Sequence, residues 1–518
     1  MKARASVIIC NLAHSQVGVS KQFQMDHKKP EFDKNELIEI KNRLARLGMS
    51  LVEAENRTPG DNGGSLFDNQ LDDLLADIVH KAGSSVTTQS EPLLVGSEEP
   101  QPRRVVITGL GTVNPLADNV EDFWTSLKKG QSGIAKMTLT DPSNYPTHIA
   151  GEVKDWNPKK HIDPKDARRM SRNSQFAVAA ARQAIVDAKL DIEGDMADDY
   201  GVVWGTGNCA YPETEAGVRT MLERGGMKLS PFFIPTILPN MAAAQIAMQL
   251  GFKGYNTTII TACASSTQSI GEAAEIIKRG DAEVILSGGG EAPISELGLA
   301  GFCVMRAMSS ARNDAPTTAS RPFDKGRDGF VPAEGASALV LENLDHALAR
   351  GATIYAELVG FGATCDAYHL VAPEPSGLGA VRSMRRALHS AKLSPRDIDY
   401  INAHGTSTDL NDKMETVAVK KVFGDYAYQI PMSSTKSMVG HLLGGAGGIE
   451  AVATLLMMKN EMIHPTINYE TPEEDLDLDY VPNRARPAKI KVAMSNSFGF
   501  GGQNASIIFK EYAASSSQ

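Results

Sequence analysis

"IITACASSTQSIG", residues 259–271, sets a single cysteine where an apolar β-branched run gives way to a helical pattern. The preceding "YNTTII" reads as a strand. The following "SSTQSIGEAAEIIKRG" (265–280) reads as a helix with Ser265 or Ser266 near its cap. A second stretch echoes it: "SSTQSIGEAAEII" (265–277) resembles "SSTKSMVGHLLGGAGGIEAV" (433–452), with Ser-Ser-Thr-x-Ser, then glycine, then a helix. A strand-turn-helix at equivalent places in two halves predicts a duplicated α/β unit. From 103 to about 511 short apolar strands, such as "YGVVWGTG" (200–207), "AEVILSGGGE" (282–291) and "SALVLENL" (337–344), alternate with helices. That alternation predicts an α/β core of helix-covered parallel strands. The region opens on "RRVVITGLGTVNPLA" (103–117), read as a buried strand running into a glycine turn. "GLGTVN" is not a dinucleotide fingerprint, because Asn114 stands where the third glycine belongs.

The bulk numbers exclude several classes. The chain has 518 residues, enough for a large core and more than one folded unit. A net charge of -10 argues against general nucleic-acid binding but allows a local basic patch. The five cysteines are scattered without a CxxC pair, so neither a zinc site nor a disulfide framework is expected, and the compartment reads as reducing, hence cytoplasmic. No apolar run reaches the roughly 18–20 residues of a membrane span. "ASVIICNLA" (5–13) is too short and lacks a clear cleavage pattern for a signal peptide, and Met25 is an alternative start.

Residues 1–102 have a different texture and are expected to form a mostly helical or disordered extension. Leu37, Ile40, Leu44, Leu47 and Leu51 predict a helix over 34–57, and 66–83 reads as a second, acidic amphipathic helix. Residues 84–102 read as a flexible linker. A carrier-protein domain is not expected here, since there are too few helices and no Asp-Ser-Leu attachment motif.

Three further loops hold chemistry-bearing residues. Cys263, alone, could be packing material. At a helix N-terminus, however, the dipole lowers a thiol's pKa, Ala262 and Ala264 leave room for a carbonyl, and backbone N–H groups can cradle an oxyanion. His404 lies in "INAHGTSTDLNDKMET" (401–416), a Gly/Ser/Thr-rich loop without apolar packing partners. "MSSTKSMVGHLLGGAGG" (432–448) supplies Lys436 and His441, the latter hemmed by glycines. "SNSFGFGGQNAS" (495–506) is a glycine loop with phenylalanines that could serve as a movable plug. A metal site would favour shorter ligand spacing and carboxylates beside the histidines.

"TACASST", "NAHGTSTDLND", "SSTKSMVGHLLGGAGG" and "SNSFGFGGQN" together resemble the β-ketoacyl-[acyl-carrier-protein] synthases, most of all the elongating type II enzymes. The likeness covers about 103–511 and extends to "SPFFIPTILPNMAA" (230–243), "ASRPFDKGRDGFVPAEGA" (319–336) and "HPTINYETPEEDLDLDYVPNRAR" (464–486). It implies a thiolase-like fold: two duplicated halves (about 103–350 and 351–511) in five α-β-α-β-α layers, working as a homodimer, with 512–518 as a tail. It implies an acyltransferase in fatty acid elongation that carries an acyl group on Cys263 and condenses it with malonyl-acyl carrier protein, releasing CO2. His404 and His441 would stabilise the enolate; initiating synthases use His and Asn, so His441 marks an elongating enzyme. Lys436 would pair with Glu415, and Asp412 fits the neighbouring acidic position. The N–H groups of Cys263 and Phe500 would form the oxyanion hole, and Phe498 and Phe500 would bound the acyl pocket, with Phe500 as its gate. Thr406 and Thr408 would hold the phosphopantetheine arm.

No cofactor beyond that substrate-borne arm is implied, although a structural Na+ or K+ fits at Asn402, Glu450, Ser495 and Asn496. The partner would be acidic acyl carrier protein, met by Lys165, Arg168 and Arg169 in "KDARRMSR" (165–172). Gln503 departs from the Thr or His of relatives, which touches selectivity only. A ketosynthase of a dissociated polyketide pathway is the alternative. A non-catalytic partner subunit would lack Cys263, and a CoA-dependent thiolase would need a second cysteine in the C-terminal loop, where "SFGFGGQN" has none.

Overall fold

The computed structural model describes residues 103–192 and 194–513. The helices expected at 34–57 and 66–83 and the linker after them lie outside the described residues. Ten strands form one paired series: β1 (Val105–Val113), β2 (Tyr200–Gly205), β3 (Asn256–Ile259), β4 (Val284–Glu291), β5 (Gly335–Asn343), β6 (Ala356–Cys365), β7 (Tyr400–Asn402), β8 (Met432–Ser433), β9 (Val492–Gly499) and β10 (Gln503–Lys510). Their spatial order is β8-β7-β9-β10-β6-β1-β5-β4-β2-β3. Outward from the centre, the halves run β1-β5-β4-β2-β3 and β6-β10-β9-β7-β8, which is the same topology twice. They join through the antiparallel pairs Val106–Glu357 and Ile107–Ala356.

The helices that build the layers are α1 (Arg172–Ala188), α2 (Tyr211–Arg224), α3 (Met241–Leu250), α4 (Ser265–Lys278), α5 (Leu378–Ala391), α6 (Asp409–Phe423) and α7 (Ala446–Asn460). α1 and α3 cover the strands of the first half; α5 covers those of the second and carries α6 beside it. α4 and α7 lie between, touching each other and strands of both halves. The five expected layers follow. With strands on both sides, α7 is buried from Ala446 to Met458, which is why its sequence is apolar all round instead of striped. The central core joins Ile270 and Ile277 of α4 and Val452 and Leu455 of α7 to Leu339 and Leu341 of β5.

Three expectations need correction. The sheets are mixed: β2 is parallel to β3 and β4, but β5 is antiparallel to β4 and β1. The second half repeats this, and its β9–β10 pair is joined by Phe500–Gly502, far too short for the crossover a parallel pair requires. The glycines of "GLGTV" do not make a turn; β1 runs through them. A Cβ on Gly109 or Gly111 would collide with the carbonyl oxygens of Ala184 or Ala180, so these glycines let α1 lie directly on the strand. Finally, the Ser-Ser-Thr echo is out of register. Ser265 begins α4, whereas Ser433 ends β8 and the equivalent helix α7 starts at Ala446. The intervening segment carries Lys436 and His441, which is how the second half comes to supply them.

Candidate active site

Cys263 sits in a one-turn 3-10 helix (Ala262–Ala264) between β3 and α4. Ala262 holds φ 50°, a left-handed turn that sharpens the strand-to-helix corner. Gly499 closes over it: a Cβ there would lie 2.9 Å from both the Cys263 nitrogen and the Thr261 oxygen. This close approach brings the Phe500 N–H to the side of the Cys263 sulfur, where it favours the thiolate.

His404 follows β7 and is buried. Its own N–H and that of Gly405 donate to Glu415 Oε1 and Oε2, each at 2.8 Å. Thr406 N–H donates to Asp412 Oδ1 at 3.1 Å, and Phe323 N–H to Asp412 Oδ2 at 2.8 Å. Burial pushes the Glu415 carboxyl up to about 7 and that of Asp412 up to about 6. Neither residue lines the cavity. Both shape the backbone of the His404 loop, so the catalytic assignment the resemblance suggested becomes a positioning one.

Lys436 also departs from expectation. Its ammonium pairs with Glu450 on α7, not with Glu415, and lies 3.3 Å from His404 Nδ1. An ammonium can only donate, so His404 Nδ1 must accept and the ring proton sits on Nε2. His441 Nε2 lies 3.1 Å from Cys263 Sγ, and its Nδ1 is buried without a partner. Its backbone is fixed by the N–H donated to Val331 O at 2.7 Å. The rings of His404 and His441 meet edge to face at 5.5 Å, and donor atoms of Cys263, His404 and His441 all lie within 4.8 Å of one another. Burial first, then the Lys436 charge, holds both imidazoles well below 6.5. The result is two neutral rings beside one sulfur, with the His404 proton on Nε2. The same cation disfavours a metal ion on the trio.

The thiol corrects another expectation. Burial pushes Cys263 up to about 12, and the Lys436 charge and the Phe500 N–H only oppose that shift. A single 3-10 turn does not compensate for removing a thiolate from water. Alkylation of the Cys263 peptide by iodoacetamide is therefore expected to rise about tenfold per pH unit between pH 7 and 9. A plateau below pH 8 in peptide-resolved mass spectrometry would show that the donors outweigh burial.

Cys263, His404 and His441 open onto a cavity of about 820 Å³. Thr406, Thr408, Phe498 and Phe500 line it, with the two threonine hydroxyls 2.9 Å apart. Lys165, Arg168 and Arg169 are exposed and do not line it; Arg169 stacks over the Phe232 ring at 4.7 Å.

Of the expected cation ligands, Asn402 Oδ1, Glu450 Oε2 and Ser495 Oγ are buried without partners, and Asn402 and Ser495 are register neighbours on β7 and β9. Asn496 points to the opposite face, where its Oδ1 accepts from Ser506 Oγ at 2.8 Å, so it leaves the set. Three hard oxygens with nothing bonded to them fit a small cation.

Two features escaped the sequence reading. Glu291, buried at the end of β4, accepts N–H bonds from Gly207 at 2.7 Å and Cys209 at 2.8 Å and braces the cavity wall. Its signal was a carboxylate ending an otherwise apolar strand. Phe330 packs edge-on against His441 at 5.4 Å, and nothing in "DGFVP" marks that contact.

Comparison with known proteins agrees with this geometry. The β-ketoacyl synthase N-terminal domain matches residues 102–347 and the C-terminal domain residues 355–470. The chain is 49% identical over 414 residues to a 3-oxoacyl-[acyl-carrier-protein] synthase 2 of Staphylococcus aureus, covering 80% of this chain and 100% of that one. It is 49% identical over 410 residues to the protein of that name from Synechocystis, covering 79% and 98%. A type II polyketide ketosynthase solved in complex with its acyl-carrier protein and bound to the hexaketide superposes with a TM-score of 0.72 at 35% identity, covering 80% and 100%. The chain belongs to the β-ketoacyl synthase family.

Proposed function

We propose that this protein elongates acyl chains by decarboxylative condensation of a Cys263-bound acyl group with malonyl-acyl carrier protein, in fatty acid synthesis. The observation that carries this is the cluster of Cys263 with two buried neutral imidazoles, His404 and His441, whose ring nitrogens and sulfur lie within 4.8 Å of one another. Transfer of the acyl group forms the Cys263 thioester and breaks the carrier thioester, and the thiol proton leaves with the carrier arm. The malonyl thioester then loses CO2. The two imidazoles hold the enolate oxygen, and the enolate carbon attacks the Cys263 carbonyl. The oxyanion formed there faces the N–H groups of Cys263 and Phe500. Collapse releases 3-oxoacyl-carrier, and the freed sulfur takes up a proton. Thr406 and Thr408 hold the phosphopantetheine arm, while Phe498 and Phe500 bound the cavity. Asn402, Glu450 and Ser495 would hold a monovalent cation, which would supply fixed positive charge to the buried site.

Two partners are part of the proposal. Lys165, Arg168 and Arg169 give an acidic carrier a basic landing surface on an acidic protein. A second copy of the chain covers the free edge of β3, beside which Ile260 is 52% exposed. The test uses the full chain, acyl-carrier and intact-protein mass spectrometry. An acyl adduct should form from the carrier, more slowly at high salt, and malonyl-carrier should discharge it as 3-oxoacyl-carrier, from a protein that sediments as a dimer. Loading from acyl-CoA alone, or no discharge by malonyl-carrier, would overturn the elongating role.

A further inference from the structure

We infer that Asn208 and Tyr211 form a hydrogen-bonding station in the acyl half of the cavity, which favours acyl chains carrying a hydroxyl or keto oxygen over plain alkyl chains. The inference rests on the condensing reading above. The residues lining the cavity around Cys263 fall into two groups by chemistry. One, from the second half of the chain with Arg327, is polar: Thr406, Thr408, Asp409 and Asn411 line it and suit the amides of a phosphopantetheine arm. The other comprises Ile260, Phe302, Met305 and Leu443 and suits an acyl chain. Asn208 and Tyr211 lie beside this apolar group: a Cβ on Gly298, in the helix Glu296–Val304 that carries Phe302, would lie 3.1 Å from the Tyr211 ring, and Gly207 packs against Gly444 next to Leu443.

The pair is held in place. Glu291 takes the backbone N–H groups of Gly207, Asn208 and Cys209, so the Asn208 backbone is pinned by a buried carboxylate. The Tyr211 hydroxyl, at the start of α2, donates to Asn208 Oδ1 at 2.8 Å. That bond fixes the carboxamide, with its Nδ2 on the other side. Among the described residues no acceptor takes the Nδ2 protons. A plain alkyl chain would strip water from this donor and return nothing. A hydroxyl or keto oxygen at the same depth would accept from it.

The test loads a carrier protein with octanoyl groups, plain or hydroxylated at the fourth, sixth or eighth carbon. Adduct formation on Cys263 of the full chain is timed by intact-protein mass. In the wild type at least one hydroxylated chain should load about tenfold faster than octanoyl, the ratio expected of one well-made hydrogen bond. Asn208→Ile should invert the preference, raising octanoyl loading and lowering that of the hydroxylated chain. Tyr211→Phe, which deletes only the hydroxyl, should shrink the ratio. Octanoyl loading as fast as every hydroxylated chain in the wild type overturns the inference. So does a ratio unmoved by both substitutions. Absence of adduct from all four chains overturns the condensing reading itself.

Discussion

Cys263→Ala is expected to lower condensation by at least about 10⁴-fold while malonyl-carrier decarboxylation remains measurable. The two halves of the reaction use different atoms. Acyl transfer needs the sulfur, the one thiol in the trio, whose remaining members are imidazoles held neutral. Decarboxylation needs the enolate donors, and the substitution leaves these intact. His404 keeps the Lys436 ammonium at Nδ1, and His441 keeps its backbone bond to Val331. Alanine removes one sulfur from a site between Ala262 and Ala264, so the fold changes little. Carbon dioxide release and 3-oxoacyl product, followed separately, check the split. Loss of both in a folded variant would mean that the sulfur positions the malonyl group, and retention of both would remove Cys263 from the mechanism.

Lys436→Met is expected to cost about 3–5 kcal/mol of stability and, through His404, condensation on the order of 10²-fold. Lys436 and Glu450 form a fully buried ion pair between α7 and the His441 segment. Burial has already pushed Glu450 up to about 7 from 4.5, with Lys436 holding it down. Without the ammonium its folded pKa climbs further above the unfolded value. A carboxyl raised in this way contributes stability below the unfolded pKa and loses it as pH rises through the folded one. The variant should therefore fall further below wild type at pH 8 than at pH 5. Adding Glu450→Gln should recover part of the pH 8 loss, because it removes the orphaned charge. Urea unfolding midpoints at the two pH values test this, and equal losses at both would place the damage in packing. The activity loss should survive the second substitution, since the donor to His404 Nδ1 is still missing.

The local residue patterns carried much of this protein. A strand, a small-residue corner and a helix around Cys263 could be read directly, as could the glycine loops holding His404 and His441. The duplication was visible too, although its Ser-Ser-Thr echo aligned the wrong residues. Where the sequence misled, long-range contacts were responsible. Gly109 and Gly111 looked like a turn because the helix that presses on them lies more than sixty residues away in the chain. Glu415 looked like the partner of Lys436, but it is consumed by backbone N–H groups before the ammonium arrives.

Sequence by itself determined which residue types stand at each corner, and hence the α/β class, the repeat and the chemistry of a thiol with two histidines. Only the tertiary structure decided their protonation and their roles. The His404 tautomer follows from the ammonium behind its Nδ1, and the high thiol pKa follows from burial. The separation of Asp412 and Glu415 from the cavity follows from which N–H groups they accept. Each of these depends on distances and water exclusion between segments far apart in the chain, and no local pattern encodes them.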